Sequence, residues 1–281
     1  MMSSEQLGRV PLRVRDFVFD SLAVGDPEAP LVLFLHGFPQ FAESWADIMV
    51  PIANAGFRAV AVDQRGYSPG ARPEGVAAYD MSLLVGDILE FADALGAHRF
   101  HLVAHDWGGI LAWRLAAERP GKLLSLTVLS TPHTDALLNS IARDPVQAAM
   151  SQYIHFFRQP GGVAEAGMLA NGAERLRAAF RGKLSTQRLE THVARLSVPG
   201  ALTAALNWYR ALDFDARIGP VHVDTLFIWG SADHALGEIA ANDTADFVRA
   251  PYRFVRLDEC SHWLMDEVPE DIVDLLLERL R

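Results

Sequence analysis

Short apolar runs recur along the chain with helix-like segments between them, and this alternation restricts the possible fold more than any other feature. The central runs are continuously apolar, as expected for strands that are buried on both faces. The runs lie at 13–24, 31–35, 57–63, 100–104, 123–130, 224–230 and 252–258. Helical patterns lie between them or after them, at 43–54, 80–95, 107–119 and 269–280. The alternation predicts an α/β fold, in which a mostly parallel sheet is wrapped by crossover helices.

The strand pattern is interrupted once. From Pro132 to Asp215 the sequence has only helical and loop patterns, and the strand pattern resumes at 224–230. An insertion between two sheet strands, near their carboxyl ends, is positioned to roof a binding site. We therefore predict a core domain made of residues 1–131 and 216–281, with a helical cap at 132–215.

Composition narrows the class of partner. The chain has 281 residues and a formal net charge of −10, which allows a substantial core and disfavours a nucleic-acid-binding surface. The single cysteine, Cys260, excludes an intrachain disulfide and fits a reducing compartment. No apolar run has the roughly 20 residues of a membrane span, and the first residues lack the apolar region of a signal peptide. We expect a cytoplasmic protein that binds a small molecule and neither nucleic acid nor membrane.

The sequence HLVAHDWGG, residues 101–109, passes from an apolar run into a predicted helix through Asp106. Asp is a common helix N-cap, so capping alone explains this residue locally. The small residues Ala104, Gly108 and Gly109 would also permit the tight strand-to-helix turn that presents a nucleophile. On local evidence, the capping and nucleophilic interpretations are equally acceptable.

Two distant residues favour the nucleophile. Asp233 follows the run at 224–230, and His262 follows the last run, so both would lie at the carboxyl ends of strands. A histidine oriented by a carboxylate can act as a general base. The loop FLHGFPQ, after the run at 31–35, would also place the backbone N–H of Phe38 beside that of Trp107. Two such donors can stabilise a developing oxyanion.

These motifs resemble those of the epoxide hydrolase family of the α/β-hydrolase superfamily, over nearly the whole chain. The core carries HGFP, VAHDWGG, WGSAD and SHW, and the cap carries QYIHFFRQPGGVAEA and LNWYR. The resemblance implies an α/β-hydrolase fold with a helical cap inserted between sheet strands. It implies that Asp106 is the nucleophile, His262 the base and Asp233 the acid that orients it. It also implies that Tyr153 and Tyr209 donate hydrogen bonds to the epoxide oxygen.

The residue types agree with this chemistry. A carboxylate is a poor nucleophile towards the carbonyl carbon of an ester. It can, however, displace a leaving group at an sp³ carbon and form an alkyl-enzyme ester. Water activated by His262 would then hydrolyse that ester. An opening epoxide expels an alkoxide, which needs a proton donor. We expect a hydrolase, with no cofactor and no metal, that converts a small, neutral, hydrophobic epoxide to a vicinal diol.

Either cap tyrosine taken singly is more often a core residue than a catalytic one. Tyr153 falls on an apolar helical pattern with Val146, Met150 and Phe157, and Tyr209 lies on a similar pattern. Both phenols are therefore expected to face a buried surface, where each hydroxyl needs a partner.

Several other residues near these motifs are predicted to be structural. His36 and His105 flank the proposed site but are given no chemical role. His101 and His105 lie on a predicted strand and cannot be assumed to face the same way, which disfavours a metal-binding pair. The turn-rich sequence DQRGYSPG at 63–70 is expected to shape the edge of the site. Among the tryptophans, only Trp107 is tied to the site by its position.

Other functions remain as alternatives. A haloalkane dehalogenase would use the same Asp, His and acid, but that family often has an Asn where this chain has Phe38. The apolar sequence WGGILAW disfavours a fluoroacetate dehalogenase, which needs arginines there, and Asp106 disfavours a serine esterase. A non-catalytic ligand-binding relative would usually have lost part of the triad. The sequence leaves open the particular epoxide, the stereochemistry, the pathway, residual dehalogenase activity and the formation of a homodimer.

Overall fold

The structure, a computed structural model, describes residues 7–213 and 215–280, and these contain an eight-stranded sheet. The strands are β1 (Gly8–Val14), β2 (Phe17–Val24), β3 (Leu31–Leu35), β4 (Arg58–Val62), β5 (Phe100–His105), β6 (Leu123–Leu129), β7 (Thr225–Gly230) and β8 (Tyr252–Leu257). Their order across the sheet is β1-β2-β4-β3-β5-β6-β7-β8. Strands β3 to β8 are parallel to their neighbours, whereas β2 pairs antiparallel with both β1 and β4. The carboxyl ends of the parallel strands therefore meet at one edge.

Helices cover both faces of the sheet. They are α1 (Ala46–Asn54), α2 (Met81–Ala94), α3 (Trp107–Glu118), α4 (Thr134–Arg143), α5 (Pro145–Met150), α6 (Tyr153–Phe157), α7 (Val163–Ala179), α8 (Thr186–Leu196), α9 (Ala201–Ala211), α10 (Glu238–Asp243), α11 (Leu264–Glu267) and α12 (Pro269–Leu280). Apolar residues of α1 and α12 pack on one face of the sheet, and those of α2 and α3 pack on the other. Covering both faces explains why a strand such as β3 is apolar at every position. Within the described residues, no helix is long and apolar enough to cross a membrane.

The α/β-hydrolase architecture is confirmed, and helices α4 to α9 follow β6 and precede β7, within the segment predicted to be the cap.

The run at 13–24 is not one strand, which corrects the sequence prediction. Arg15, at φ 51°, and Asp16 form a turn between β1 and β2. Pro11 lies in β1, and this is tolerated because β1 is at the edge of the sheet. Residues 1–6 and 281, which belong to the predicted core domain, and residue 214, which belongs to the predicted cap, lie outside the described residues.

The cap segment, residues 132–215, is tied to the turn-rich loop at 63–70. The indole N–H of Trp208 donates to the carbonyl oxygen of Arg65 at 2.9 Å, and the Arg65 guanidinium forms a buried ion pair with Asp87 at 2.6 Å. Arg195 of α8 donates to Asp63 at 2.5 Å. The loop that was expected to shape the edge of the site therefore also holds two cap helices, α8 and α9.

Candidate active site

Asp106 occupies a strained turn between β5 and α3. Its backbone has φ 50° and ψ −119°, a conformation that costs a residue other than glycine about 1–3 kcal/mol. Asp106 is the N-cap residue of α3, but its side chain makes no capping hydrogen bond, so capping alone does not account for this residue. The carboxylate instead turns towards the loop after β3, where its Oδ1 accepts a hydrogen bond from the backbone N–H of Phe38 at 2.7 Å.

Two glycines make this close approach possible. A Cβ placed on Gly37 would lie 2.2 Å from the Cβ of Asp106, and one on Gly108 would lie 2.5 Å from the carbonyl oxygen of Leu35. Because real Cβ atoms do not approach other heavy atoms so closely, a side chain at Gly37 would displace the side chain of Asp106, and one at Gly108 would displace backbone. The Gly of HGFP and the first Gly of DWGG are thus required for Asp106 and the Phe38 loop to meet.

The surroundings of Asp106 keep its carboxylate ionised. Burial alone would raise the pKa of Asp106, but the contact with His262 and the backbone N–H of Trp107 lower that pKa by more. The His262 Nε2 atom lies 3.6 Å from Oδ2 of Asp106. Oδ1 thus faces the backbone N–H of Phe38, and Oδ2 faces the imidazole.

Asp233 fixes the orientation of His262. Its Oδ2 lies 2.8 Å from His262 Nδ1, and its Oδ1 accepts hydrogen bonds from the backbone N–H groups of Ala235 at 2.8 Å and Leu236 at 3.0 Å. Burial lowers the pKa of His262, but the charges of Asp233 and Asp106 raise that pKa further than burial lowers it. The proton on Nδ1 points to Asp233, which leaves Nε2 directed at Asp106.

The two cap tyrosines lie above Asp106. Tyr153 is in α6 and Tyr209 is in α9, with ring centroids 6.2 Å apart, and both line the cavities that contain Asp106. Burial and the charge of Asp106 raise the pKa of Tyr153. Burial raises the pKa of Tyr209 far more than a hydrogen bond from Trp107 lowers it. Both phenols therefore stay protonated and can donate hydrogen bonds.

The apolar pattern predicted around Tyr153 is partly wrong. Val146 lies in α5, which is separate from α6, and its side chain is 63% exposed. The chain turns between the two helices at Ser151 and Gln152, so the helical spacing does not continue from one to the other. Phe157 does share the face of Tyr153, with ring centroids 5.3 Å apart.

Two cavities meet at Asp106. The larger, of about 640 Å³, extends beneath α6 and α7, and the smaller, of about 60 Å³, lies towards α4. Asp106, Tyr153 and Tyr209 line both cavities. Both cavities are therefore open to groups attached to a carbon that lies at Asp106.

Sequence reasoning missed several residues of the larger cavity. Trp263, His234, Arg175 and Arg181 all line it. The position of Trp263, next to His262, was a signal that could have been used. The arginines of α7 and of the turn after it give no such signal, because their place at the cavity depends on how α7 packs.

The histidines expected to be structural have other partners. The backbone N–H of Gln64 donates to Nε2 of His36, and burial lowers the pKa of His36 to about 4. His105 Nε2 lies 2.9 Å from the carbonyl oxygen of His262, and His101 Nδ1 lies 2.7 Å from the Ser125 hydroxyl. His101 and His105 are thus engaged with different groups.

Comparisons with known proteins agree on the fold and on one group of enzymes. Residues 30–269 match the family described as the alpha/beta hydrolase fold. The chain is 34% identical to AB hydrolase superfamily protein YfhM of Bacillus subtilis, covering 92% of this chain and 93% of that protein. It is 31% identical to epoxide hydrolase A of Mycobacterium tuberculosis, covering 91% and 92%. The crystal structure of epoxide hydrolase A from Mycobacterium thermoresistibile superposes with a TM-score of 0.85, at 26% identity and 98% coverage of both chains.

Proposed function

We propose that this chain, which belongs to the epoxide hydrolase family of the α/β-hydrolase superfamily, converts an epoxide to a vicinal diol through a covalent ester of Asp106. The observation that carries the proposal is the placement of two protonated phenols, Tyr153 and Tyr209, in the cavities that contain an ionised carboxylate. A nucleophile and proton donors that line one space are what the opening of an epoxide ring needs. We further propose that residues 132–215 act as a cap domain on a core of residues 1–131 and 216–281.

In the first step, Oδ2 of Asp106 attacks a ring carbon, and the bond from that carbon to the epoxide oxygen breaks. The choice of Oδ2 follows from the hydrogen bond that Phe38 donates to Oδ1. The leaving oxygen takes a proton from Tyr153 or Tyr209, and the imidazolium proton of His262 restores the phenol through water in the cavity. The net charge of the site is the same before and after, because one carboxylate and one imidazolium are neutralised together.

In the second step, His262 acts as the base. Formation of the ester removes the charge of Asp106, one of the causes of the raised His262 pKa, so this pKa falls. Neutral His262 removes a proton from water, which attacks the carboxyl carbon of Asp106. The negative charge then develops on Oδ1, which accepts the hydrogen bond of the Phe38 backbone N–H, and the backbone N–H of Trp107 is a second donor to the same carboxyl group. The bond between the carboxyl carbon and the substrate oxygen then breaks, and the leaving alkoxide takes the proton of the added hydroxyl group. The products are the diol, the Asp106 carboxylate and protonated His262, as at the start of the cycle.

Removing the two phenol hydroxyls should slow ring opening selectively. We expect Tyr153→Phe and Tyr209→Phe each to lower the rate of ester formation by about 10²-fold, the lower end of what general acid catalysis contributes. The double variant should lose more. Phe keeps the ring contacts of Tyr209 with Phe38 and Trp107. The rates are measured in single turnovers that resolve ester formation from ester hydrolysis.

Tyr67→Phe is the matched control. Tyr67 is buried against Trp208, which itself contacts Trp107, and the Tyr67 hydroxyl has no hydrogen-bond partner in the described part of the chain. We expect ester formation in this variant to stay within about twofold of the wild type, because no hydrogen bond is removed. A double Tyr153/Tyr209 variant that formed the ester at the wild-type rate would rule out the phenols as proton donors.

The reaction itself is tested with two panels of substrates. Epoxides are assayed for diol, and 1-haloalkanes are assayed for halide. We expect diol from epoxides and at least about 10²-fold lower kcat/KM for haloalkanes, since halide release gains little from proton donors. Halide release without diol formation would establish the dehalogenase alternative, and no product from either panel would favour a non-catalytic relative.

A further inference from the structure

The larger cavity has a charge pattern that the proposed reaction does not use. Of its lining residues, only Arg175 and Arg181 carry a permanent positive charge, and the only carboxylate is Asp106. Burial lowers the pKa of His234 to about 4, so this histidine is neutral at pH 7. Both arginines are exposed, whereas Asp106 lies deep in the site. The two guanidinium groups therefore mark the outer end of the cavity.

Neither guanidinium is committed to a carboxylate. Within residues 7–213 and 215–280, the ion pairs do not include Arg175 or Arg181. Arg175 lies over the ring of Phe156, with its Cζ 5.3 Å from the ring centroid. Arg177 lies on the same helix but pairs with Glu190, away from this cavity. Both guanidinium groups are therefore available to an anionic ligand at this opening.

The opposite end of the site has a different character. The small cavity near α4 is lined by apolar side chains such as Ile110, Leu137 and Ile141. A further cavity of about 200 Å³ adjoins it and is lined by Asp80 and Asp213, while its one arginine, Arg114, pairs with Glu118. Anions are thus favoured at the end with Arg175 and Arg181 and disfavoured at the other end.

Building on the proposed function, we infer that the enzyme prefers epoxides in which an apolar chain joins the ring to an anionic group, and that Arg175 and Arg181 bind this group. The apolar chain would lie along Phe156, Phe157 and Met168. The volume of about 640 Å³ is within the range of about 300–1,000 Å³ that ligand sites have. This substrate differs at its far end from the neutral epoxide expected from the sequence. The positive charge at the outer end of the cavity would also attract the anionic substrate to the site, although the protein as a whole is negatively charged.

The test compares three terminal epoxides of equal chain length, which end in a carboxylate, its methyl ester or a primary amine. We expect the carboxylate to have the lowest KM and the amine the highest. Arg175→Gln and Arg181→Gln should each lower the ratio of kcat/KM for carboxylate over ester by about two- to fivefold, the usual contribution of an exposed ion pair. The double variant should abolish the preference, and Arg175→Glu with Arg181→Glu should reverse it in favour of the amine. Added salt should weaken the wild-type preference.

Arg177→Gln is the matched control, since it removes a positive charge from the same helix without changing the cavity lining. We expect it to leave the carboxylate-to-ester ratio unchanged. If diol forms from all three substrates with equal kcat/KM, or if the control variant shifts the ratio as much as Arg175→Gln, the anion site is overturned and the proposed function stands. If none of the three yields diol, while folding is normal, both inferences fall.

Discussion

Replacing Asp106 by Ala is expected to lower kcat/KM for epoxide hydrolysis by at least about 10⁴-fold, because removal of a covalent nucleophile removes the reaction path itself. His262, Asp233 and both tyrosines would remain in place, so any residual activity would measure direct attack of water on the bound epoxide. Activity is measured as diol formation under kcat/KM conditions. The melting temperature and circular dichroism of the variant verify that the loss is chemical rather than structural.

A labelling experiment tests the same residue in the wild-type enzyme. In a single turnover in ¹⁸O-labelled water, the covalent path transfers an unlabelled oxygen from Asp106 to the diol and places the label in the carboxylate. We therefore expect an unlabelled first-turnover diol and one labelled oxygen in the peptide that contains Asp106, both measured by mass spectrometry. Label in the first diol and none in the peptide would show that water attacks the epoxide directly. The nucleophilic role of Asp106 would then be excluded.

The parts of the molecule that depend on short-range sequence patterns were the predictable ones. Continuous apolar runs identified the parallel strands, since a strand covered by helices on both sides has no polar face. The small residues Ala104, Gly108 and Gly109 were recognisable from the sequence as those of a tight strand-to-helix turn, whereas the need for Gly37 follows from its contact with Asp106 of a different strand–helix turn. Asp233 and His262 could be related to Asp106 because the carboxyl ends of parallel strands meet at one edge of the sheet.

Features that depend on packing between distant elements could not be predicted in this way. The helical spacing that joined Val146 to Tyr153 does not reveal that the chain turns at Ser151. The same limit applies within α7, where Asn171 has a left-handed conformation, at φ 52°, and interrupts the helix. Whether Arg175 faces solvent or a cavity depends on the direction of α7 after this interruption. The positive charge of the larger cavity therefore depends on tertiary packing, and it could not be predicted from the sequence pattern of α7.

Replacing His262 by Gln is expected to trap the ester. The Gln side chain cannot act as a base, so hydrolysis should slow by about 10³-fold, within the range that general base catalysis contributes. Ring opening uses Asp106 and the phenols directly, and solvent water can return to the phenol the proton that His262 otherwise supplies, so this step should slow much less. The variant should therefore consume about one epoxide per active site and then stop. Intact-mass measurement should show the protein gaining the mass of one substrate, and peptide mapping should place it on Asp106.

His234→Gln is the control for this variant. His234 lines the same cavity, with its ring 6.1 Å from that of His262, but it does not contact Asp233 or Asp106 through a hydrogen bond in the described residues. We expect it to turn over without accumulating an adduct. Adduct formation in both variants to the same extent would mean that a general disturbance of the cavity, rather than loss of the base, traps the ester.

The ester should also accumulate in the wild-type enzyme at low pH, because its hydrolysis needs His262 in the neutral form. Asp106 keeps its charge at low pH because its pKa is lowered, so ring opening should continue as the solution is acidified. Hydrolysis needs neutral His262, and it should slow when the pH falls below the pKa that His262 has in the ester. That pKa is lower than in the free enzyme, where the Asp106 charge raises it. Quenching steady-state reactions at decreasing pH should therefore show a growing fraction of esterified Asp106, whereas a fraction independent of pH would exclude His262 as the base.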